Sequence, residues 1–197
     1  MVDRRAALRV LLAFVAALVV WSTFSRPYER LVARSTEAVL RAFERPAVTR
    51  LEAVDPGFRV ERRDFPPGSP RPGLPAADLH FNFVLLASLF ALDRKPWEGG
   101  RVARLLLAGA VLFLVHVVAL ALQVQSVYAT ALGPWSEARY GPFARNVWAG
   151  GFHFYQIAGR FAAPFAIWWA LRRGDSADEG EPSRRARRGG RRKKKRN

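Results

Sequence analysis

Two stretches of this chain, residues 10–24 and 105–122, contain no Asp, Glu, Lys or Arg, and a third, 147–171, contains Arg160 alone. A hydrocarbon layer about 30 Å thick calls for about 20 mostly apolar residues in a helix, because each backbone N–H and C=O must find its partner within the segment. Residues 6–8 bring the first stretch to that length, and 105–122 reaches it with little tilt. A fourth run, 79–92, is short alone and gains the length from residues 76–78. The charge lies elsewhere: 32 Lys and Arg against 16 Asp and Glu, a net +16, fill the connections and the tail. A protein this basic is often a nucleic-acid binder, but charge set apart from long apolar runs points to membrane segments instead. The expected fold class is an all-α membrane protein of about four transmembrane helices with a small extracytoplasmic insertion.

The first run follows Arg4, Arg5 and Arg9, as a signal peptide would. Only Thr23-Phe24-Ser25 resembles a cleavage site, after the bulky Trp21, so an uncleaved anchor is expected over residues 1–24. Beyond it, Tyr28, Leu31, Val32, Ser35, Val39, Ala42 and Phe43 recur at helical spacing opposite Glu29, Arg30, Arg34, Glu37, Arg41 and Arg45, which predicts an amphipathic helix ended by Pro46. Residues 48–54 and 58–65 alternate apolar and charged side chains around Asp55-Pro56-Gly57, which predicts a β-hairpin. Residues 66–75, PPGSPRPGLP, read as a stiff linker, since proline fixes φ and lacks a donor. The extracytoplasmic segment thus covers 25–75, and residues 76–173 hold spans two to four.

Within that second half, residues 125–146 place Gly133-Pro134-Trp135 and Gly141-Pro142-Phe143 among aromatic residues and read as an interfacial loop. Trp148 and the pair Trp168-Trp169 mark the two ends of the last span. Residues 174–197, acidic and then RRARRGGRRKKKRN, offer no core and are expected to be disordered. Basic residues number three before the first span, four between the second and third, two between the third and fourth, and twelve after the last. Cytoplasmic termini in a bacterial inner membrane satisfy the positive-inside rule; the ten Arg of residues 25–78 weigh less because that region is long and holds eight acidic residues.

Polar residues inside these runs are the candidate site: His80, Asn82, His116, Gln123, His153, Gln156 and Arg160. His153, Gln156 and Arg160 are spaced i, i+3, i+7 and His116 and Gln123 seven apart, so each set forms a stripe along one helix face, and the two stripes could face each other. Arg160 is the sharpest signal, because a guanidinium deep in a span needs a partner, water or a route to the interface. The plainer reading is that these groups hydrogen-bond helices together, each contact contributing about 0.6 to 2 kcal/mol.

The chain has no cysteine, which excludes disulfides, thiolate metal sites and Cys nucleophiles. No Gly-x-Ser-x-Gly or His-Glu-x-x-His motif occurs, and three histidines on three helices do not define a metal site, so no catalytic residue, metal or cofactor is expected. The partners expected are the bilayer, a membrane protein, and anionic lipid at the basic tail; nucleic acid is not favoured, although recruitment of RNA by the tail is a third, weaker alternative.

One anchor, a modest outer segment, the run LHFNFVLLASLFAL, a charged turn, a long span, and a last helix with Tyr155, Gln156, Gly159 and Arg160 together resemble the exosortase H-associated membrane proteins over residues 6–172. The resemblance implies a small accessory of an exosortase, a membrane transpeptidase acting on sorting signals at the outer face of the inner membrane. It implies no catalytic residue in this chain, which lacks the Cys nucleophile of those enzymes. The function expected is a non-enzymatic accessory or scaffold of an exosortase-type sorting system; the alternative is a binder or enzyme for a lipid or polyprenyl phosphate using Arg160 and the histidines.

Overall fold

The computed structural model describes residues 4–65, 71–92 and 99–178, without the side chains of residues 5, 6, 77–81, 99 and 173–178. The charged turn at 93–98, part of the expected linker and the basic tail from 179 onward lie outside the described residues.

Helix α1, Arg4–Phe43, is the first departure from expectation. The anchor and the amphipathic helix form one element of 40 residues with Pro27 inside it. At 1.5 Å per residue it is about 60 Å long, twice a hydrocarbon layer. Proline costs one i→i−4 bond but fits the φ of a helix, so a long packed helix absorbs it. The buried face of its second half also differs from the expected one. Val32, Ala33, Thr36 and Leu40 are buried together with Glu29, whereas Leu31, Val39 and Phe43 stay exposed.

A strand pair comes next, as expected: β1, Thr49–Val54, and β2, Gly57–Arg62, are antiparallel with Leu51 opposite Val60 and Ala53 opposite Phe58. The linker reading is corrected in part, because Gly73–Pro75 forms a third strand, β3, with Phe58 opposite Leu74. Proline is tolerated at the end of so short an edge strand. Gly57 makes the approach feasible, since a Cβ there would overlap the Leu74 carbonyl oxygen. The free edge of β1 is covered by α1: Thr49 N–H donates to Glu44 Oε2 at 3.0 Å and Leu51 N–H to Glu37 Oε2 at 2.9 Å. Glu37 lies on α1 and Glu44 one residue past its end, seven positions on and held by its N–H to the Leu40 carbonyl at 3.0 Å, and the outward N–H groups of a strand recur every second residue.

The second half consists of α2 (Ala77–Phe90), α3 (Gly99–Thr130), α4 (Pro134–Arg139), α5 (Pro142–Phe154), a π-turn (Tyr155–Gly159) and α6 (Arg160–Asp178). The expected interfacial loop at 125–146 is thus largely helical: α3 runs on through Thr130, and Pro134 and Pro142 each open a helix, a position where proline's missing N–H costs nothing. α6 continues to Asp178, past the tail boundary expected at Gly174. Among the described residues two helices, Ala7–Phe43 and Gly100–Thr130, are long and apolar enough to cross a membrane.

Two apolar cores sit at opposite ends of α3. Near its C-terminal end Leu120, Val124 and Tyr128 pack with Val32 and Leu40 of α1 and with Leu51, Phe58, Val60 and Leu74 of the sheet. Near its start Ala108 and Leu112 pack with Leu86 and Phe90 of α2 and Ile167 of α6. A third, smaller cluster joins Ala17 and Trp21 of α1 to Val84 of α2; elsewhere much of the apolar runs is bare, Leu11 being 58 % exposed, Leu106 70 % and Ile157 78 %.

Candidate functional site

Between the two cores, α1, α2, α3 and the π-turn meet at a buried chain of polar side chains. Tyr28 Oη lies 2.6 Å from His116 Nδ1, and His116 Nε2 lies 3.4 Å from Asn82 Nδ2. Asn82 Nδ2 in turn donates to Tyr155 Oη at 3.3 Å. His116 and Asn82 are fully buried. The rings of Trp21, Phe83 and Phe113 surround Tyr28, with Trp21 edge-on at 5.1 Å between centroids. One hydrogen bond beside the chain ties α1 to α3, from Thr36 Oγ1 to the Val117 carbonyl at 3.3 Å.

The donor inventory sets the proton order. Asn82 Nδ2 only donates, so His116 Nε2 accepts, Nδ1 carries the proton, and the Tyr28 oxygen receives it. That arrangement leaves Asn82 Oδ1 buried with no partner among the described residues. Turning the amide over reverses every bond: Oδ1 then accepts from His116 Nε2–H and from the Tyr155 hydroxyl, while Tyr28 donates to Nδ1. In both orders the chain is neutral, which suits a site where a bare charge would cost several kcal/mol.

The π-turn brings Tyr155 into this chain. A π-turn inserts one residue into the helical repeat and rotates the next helical turns by about 100° around the axis. The local sequence permits it at Gly159, where a Cβ would stand 2.8 Å from the Tyr155 ring. The shift also divides the stripe read from spacing. His153 is exposed, beside Phe152 with ring centroids 6.1 Å apart, whereas Gln156 and Arg160 are half-buried. The Arg160 guanidinium lies 4.6 Å from the centre of the Phe161 ring.

Of the residues singled out from sequence, Asn82 and His116 are in direct contact. Gln123 lines a cleft of about 20 Å³ shared with Tyr155, Phe152 and Phe58, room for one water. His153, Gln156 and Arg160 lie along the neighbouring helix, and His80 sits on α2 with its side chain outside the described residues. Sequence reasoning misses Tyr28 and Tyr155, because tyrosine in an apolar pattern reads as core or interface. Their signal is the hydroxyl, which needs a partner once buried.

A second polar assembly lies where the sheet meets α3 and α4. Arg62 is bound by Glu44 at 2.8 Å and by both oxygens of Asp64, at 2.8 and 3.2 Å, with its guanidinium 4.8 Å from the centre of the Tyr128 ring and 5.2 Å from that of Trp135. Thr49 Oγ1 bonds both Glu44 Oε1 and Tyr128 Oη, the latter at 2.8 Å. Arg139 reaches Asp64 at 3.2 Å across the Trp135 ring. Hydrogen bonding from Arg62 holds the Asp64 carboxyl below its ordinary value, against the opposing effect of burial. Burial works against the Arg62 charge, but the Asp64 hydrogen bond, with Glu44 close by, more than compensates and raises its pKa. Burial raises that of Tyr140, whose hydroxyl donates to Gln125 at 3.1 Å.

Among the described residues no group of three or more His, Cys, Asp or Glu is arranged to hold a metal ion. Compared with known proteins, the chain matches no family model, no curated protein and no solved structure.

Proposed function

We propose that this chain is a multi-pass inner-membrane protein with cytoplasmic termini, crossing the bilayer about four times, and that it serves as a non-enzymatic accessory or scaffold for a membrane partner. The observation that carries this reading is the Tyr28–His116–Asn82–Tyr155 chain. Its members are engaged with one another across four helical segments, beside a cleft with room for one water, so they join helices and leave no room for a substrate. The bare apolar flanks of α1, α3 and α5–α6 support immersion in lipid. Helix α2, about 21 Å by its 14 residues, is short for a crossing but packs against α1, α3 and α6, where non-helical backbone at its ends can be satisfied by protein.

The sheet, the second half of α1 and α4 then form an extracytoplasmic module. Leu31, Val39 and Phe43 stay exposed on it, and Phe43 is 86 % exposed, which suits a docking face. Assignment to an exosortase-type sorting system rests on the resemblance over residues 6–172 alone, chiefly the apolar run after His80 and the pattern of Tyr155, Gln156, Gly159 and Arg160. Photo-crosslinking in native membranes from positions 157 and 161, beside Arg160, tests the scaffold reading. Capture of one specific membrane protein is the expected result. Capture of lipid alone would overturn it in favour of a binder or enzyme for a lipid or polyprenyl phosphate acting through Arg160 and the histidines.

A further inference from the structure

A groove of about 550 Å³ runs between α1 and the hairpin. Its charged lining is Glu37 and Arg41 of α1, Arg50 of β1, and Glu61, Arg62 and Arg63 at the end of β2. The carboxylates there are already engaged. Glu37 accepts from Leu51 N–H and from Arg41 at 3.2 Å, and Glu61 pairs with Arg71 at 2.8 Å. Arg62 is committed to Glu44 and Asp64. Arg50 and Arg63 are exposed and meet no acceptor among the described residues.

The strand register fixes how these two guanidiniums are presented. Arg50 stands opposite Glu61, and Arg63, one residue past the end of β2, continues the pairing through its N–H to the Val48 carbonyl at 3.4 Å, which makes it the diagonal neighbour of Arg50 on the same outward face. Diagonal positions lie about 7–8 Å apart. An extended peptide repeats its side chains on one side every second residue, about 6.8 Å. The spacing of the two arginines therefore matches carboxylates at i and i+2 of an extended acidic segment. Such a segment would be read through its side chains and not by strand addition, because the outward N–H groups of Thr49 and Leu51 are taken by Glu44 and Glu37.

Lipid phosphate is a poorer fit, an argument that rests on the membrane placement proposed above. Glu37 lies thirteen residues, about 20 Å of helix, beyond Phe24 at the end of the uncharged run, and a headgroup layer is only about 5–8 Å deep. We propose that this groove binds an extended, carboxylate-rich segment of a partner protein on the extracytoplasmic side, with Arg50 and Arg63 each taking one carboxylate.

The test uses the full chain in nanodiscs of phosphatidylcholine and a fluorescein-labelled octapeptide of alternating Glu and Ser, followed by anisotropy. The acidic peptide is expected to bind and its Gln-Ser counterpart not to. The double substitution Arg50→Glu with Arg63→Glu should weaken binding by at least about tenfold. The double substitution Arg30→Glu with Arg34→Glu, at two exposed positions of α1 outside the groove lining, should leave it unchanged and so controls for folding and net charge. Equal binding of the two peptides, an unaffected double variant, or displacement of the peptide by phosphatidylglycerol vesicles would overturn the proposal. Release of the protein from native membranes by alkaline carbonate would instead sink the membrane placement, whatever the peptide does.

Discussion

Two polar assemblies hang on α3, one around His116 and one around Tyr128, and they are built from opposite chemistry. The first joins α1, α2 and the π-turn through neutral groups at distances of 2.6 to 3.4 Å. The second fastens the sheet and α4 through a buried guanidinium, two carboxylates and aromatic faces. Where the surroundings are mostly apolar, a neutral chain avoids the desolvation cost of charge. Where the surroundings are partly wet, charge-assisted bonds are tolerated and stronger. The contrast teaches that α3 works as a common post: its middle aligns helices through neutral groups and its C-terminal end holds the sheet module through charged ones.

The comparison breaks most readily at the outer assembly. Arg62→Ala would take a charge-assisted bond of about 1.5–3 kcal/mol from each of Glu44 and Asp64, which keep Thr49 and Arg139 as partners, and open space beside Tyr128, so a loss of about 3–5 kcal/mol is expected. The sheet module should then be cut by protease while the helices resist; uniform resistance would show that Arg62 is not the clamp. A smaller effect, about 1–3 kcal/mol, is expected for Gly159→Ala, whose methyl would press on the Tyr155 ring and pull its hydroxyl from Asn82. Its signature is a lower melting temperature in detergent with the sheet module intact.

Much of the architecture can be read from the sequence, for identifiable reasons. The apolar runs announce α1 and α3 because a bare helix in lipid must be apolar all round. The hairpin is announced by alternation of apolar and charged residues about Asp55-Pro56-Gly57. Continuity of α1 through Pro27 is not, because tertiary packing decides whether a proline ends a helix. The face α1 buries is misread for a related reason: apolar residues occur on two sides of it, and only contact with α3 and the sheet selects Val32 and Leu40 over Leu31 and Phe43. Strand β3 is hidden by the prolines around Leu74, and the π-turn by the absence of any local signal beyond Gly159. In the candidate site Asn82 and His116 stand out as polar residues in apolar runs, whereas Tyr28 and Tyr155 are recognisable only once their hydroxyls are seen to be buried against them.

Two milder perturbations sharpen the contrast. Tyr28→Phe removes one hydrogen bond of the inner chain and should cost about 0.6–1.7 kcal/mol, the range for such bonds in membranes; a much larger loss in thermal melts would make the chain more than helix glue. Acid should separate the assemblies by a small step. The Asp64 carboxyl is held below its ordinary value of 3.8, so its contribution is present above that pH and disappears as pH falls through 3.8 and on through the lower folded value. Proteolysis of the sheet module should rise over that window. A module insensitive to acid would remove Asp64 from the account.

The most direct test of the central claim, a membrane-embedded bundle carrying an external sheet module, uses the absence of native cysteine. Single cysteines introduced as Arg59→Cys on the outward face of the sheet and Ser183→Cys in the tail would be exposed to a membrane-impermeant maleimide in intact spheroplasts. Labelling at position 59 before lysis and at position 183 only after it is the predicted result. Equal labelling of both positions before lysis, or protection of position 59, would contradict it.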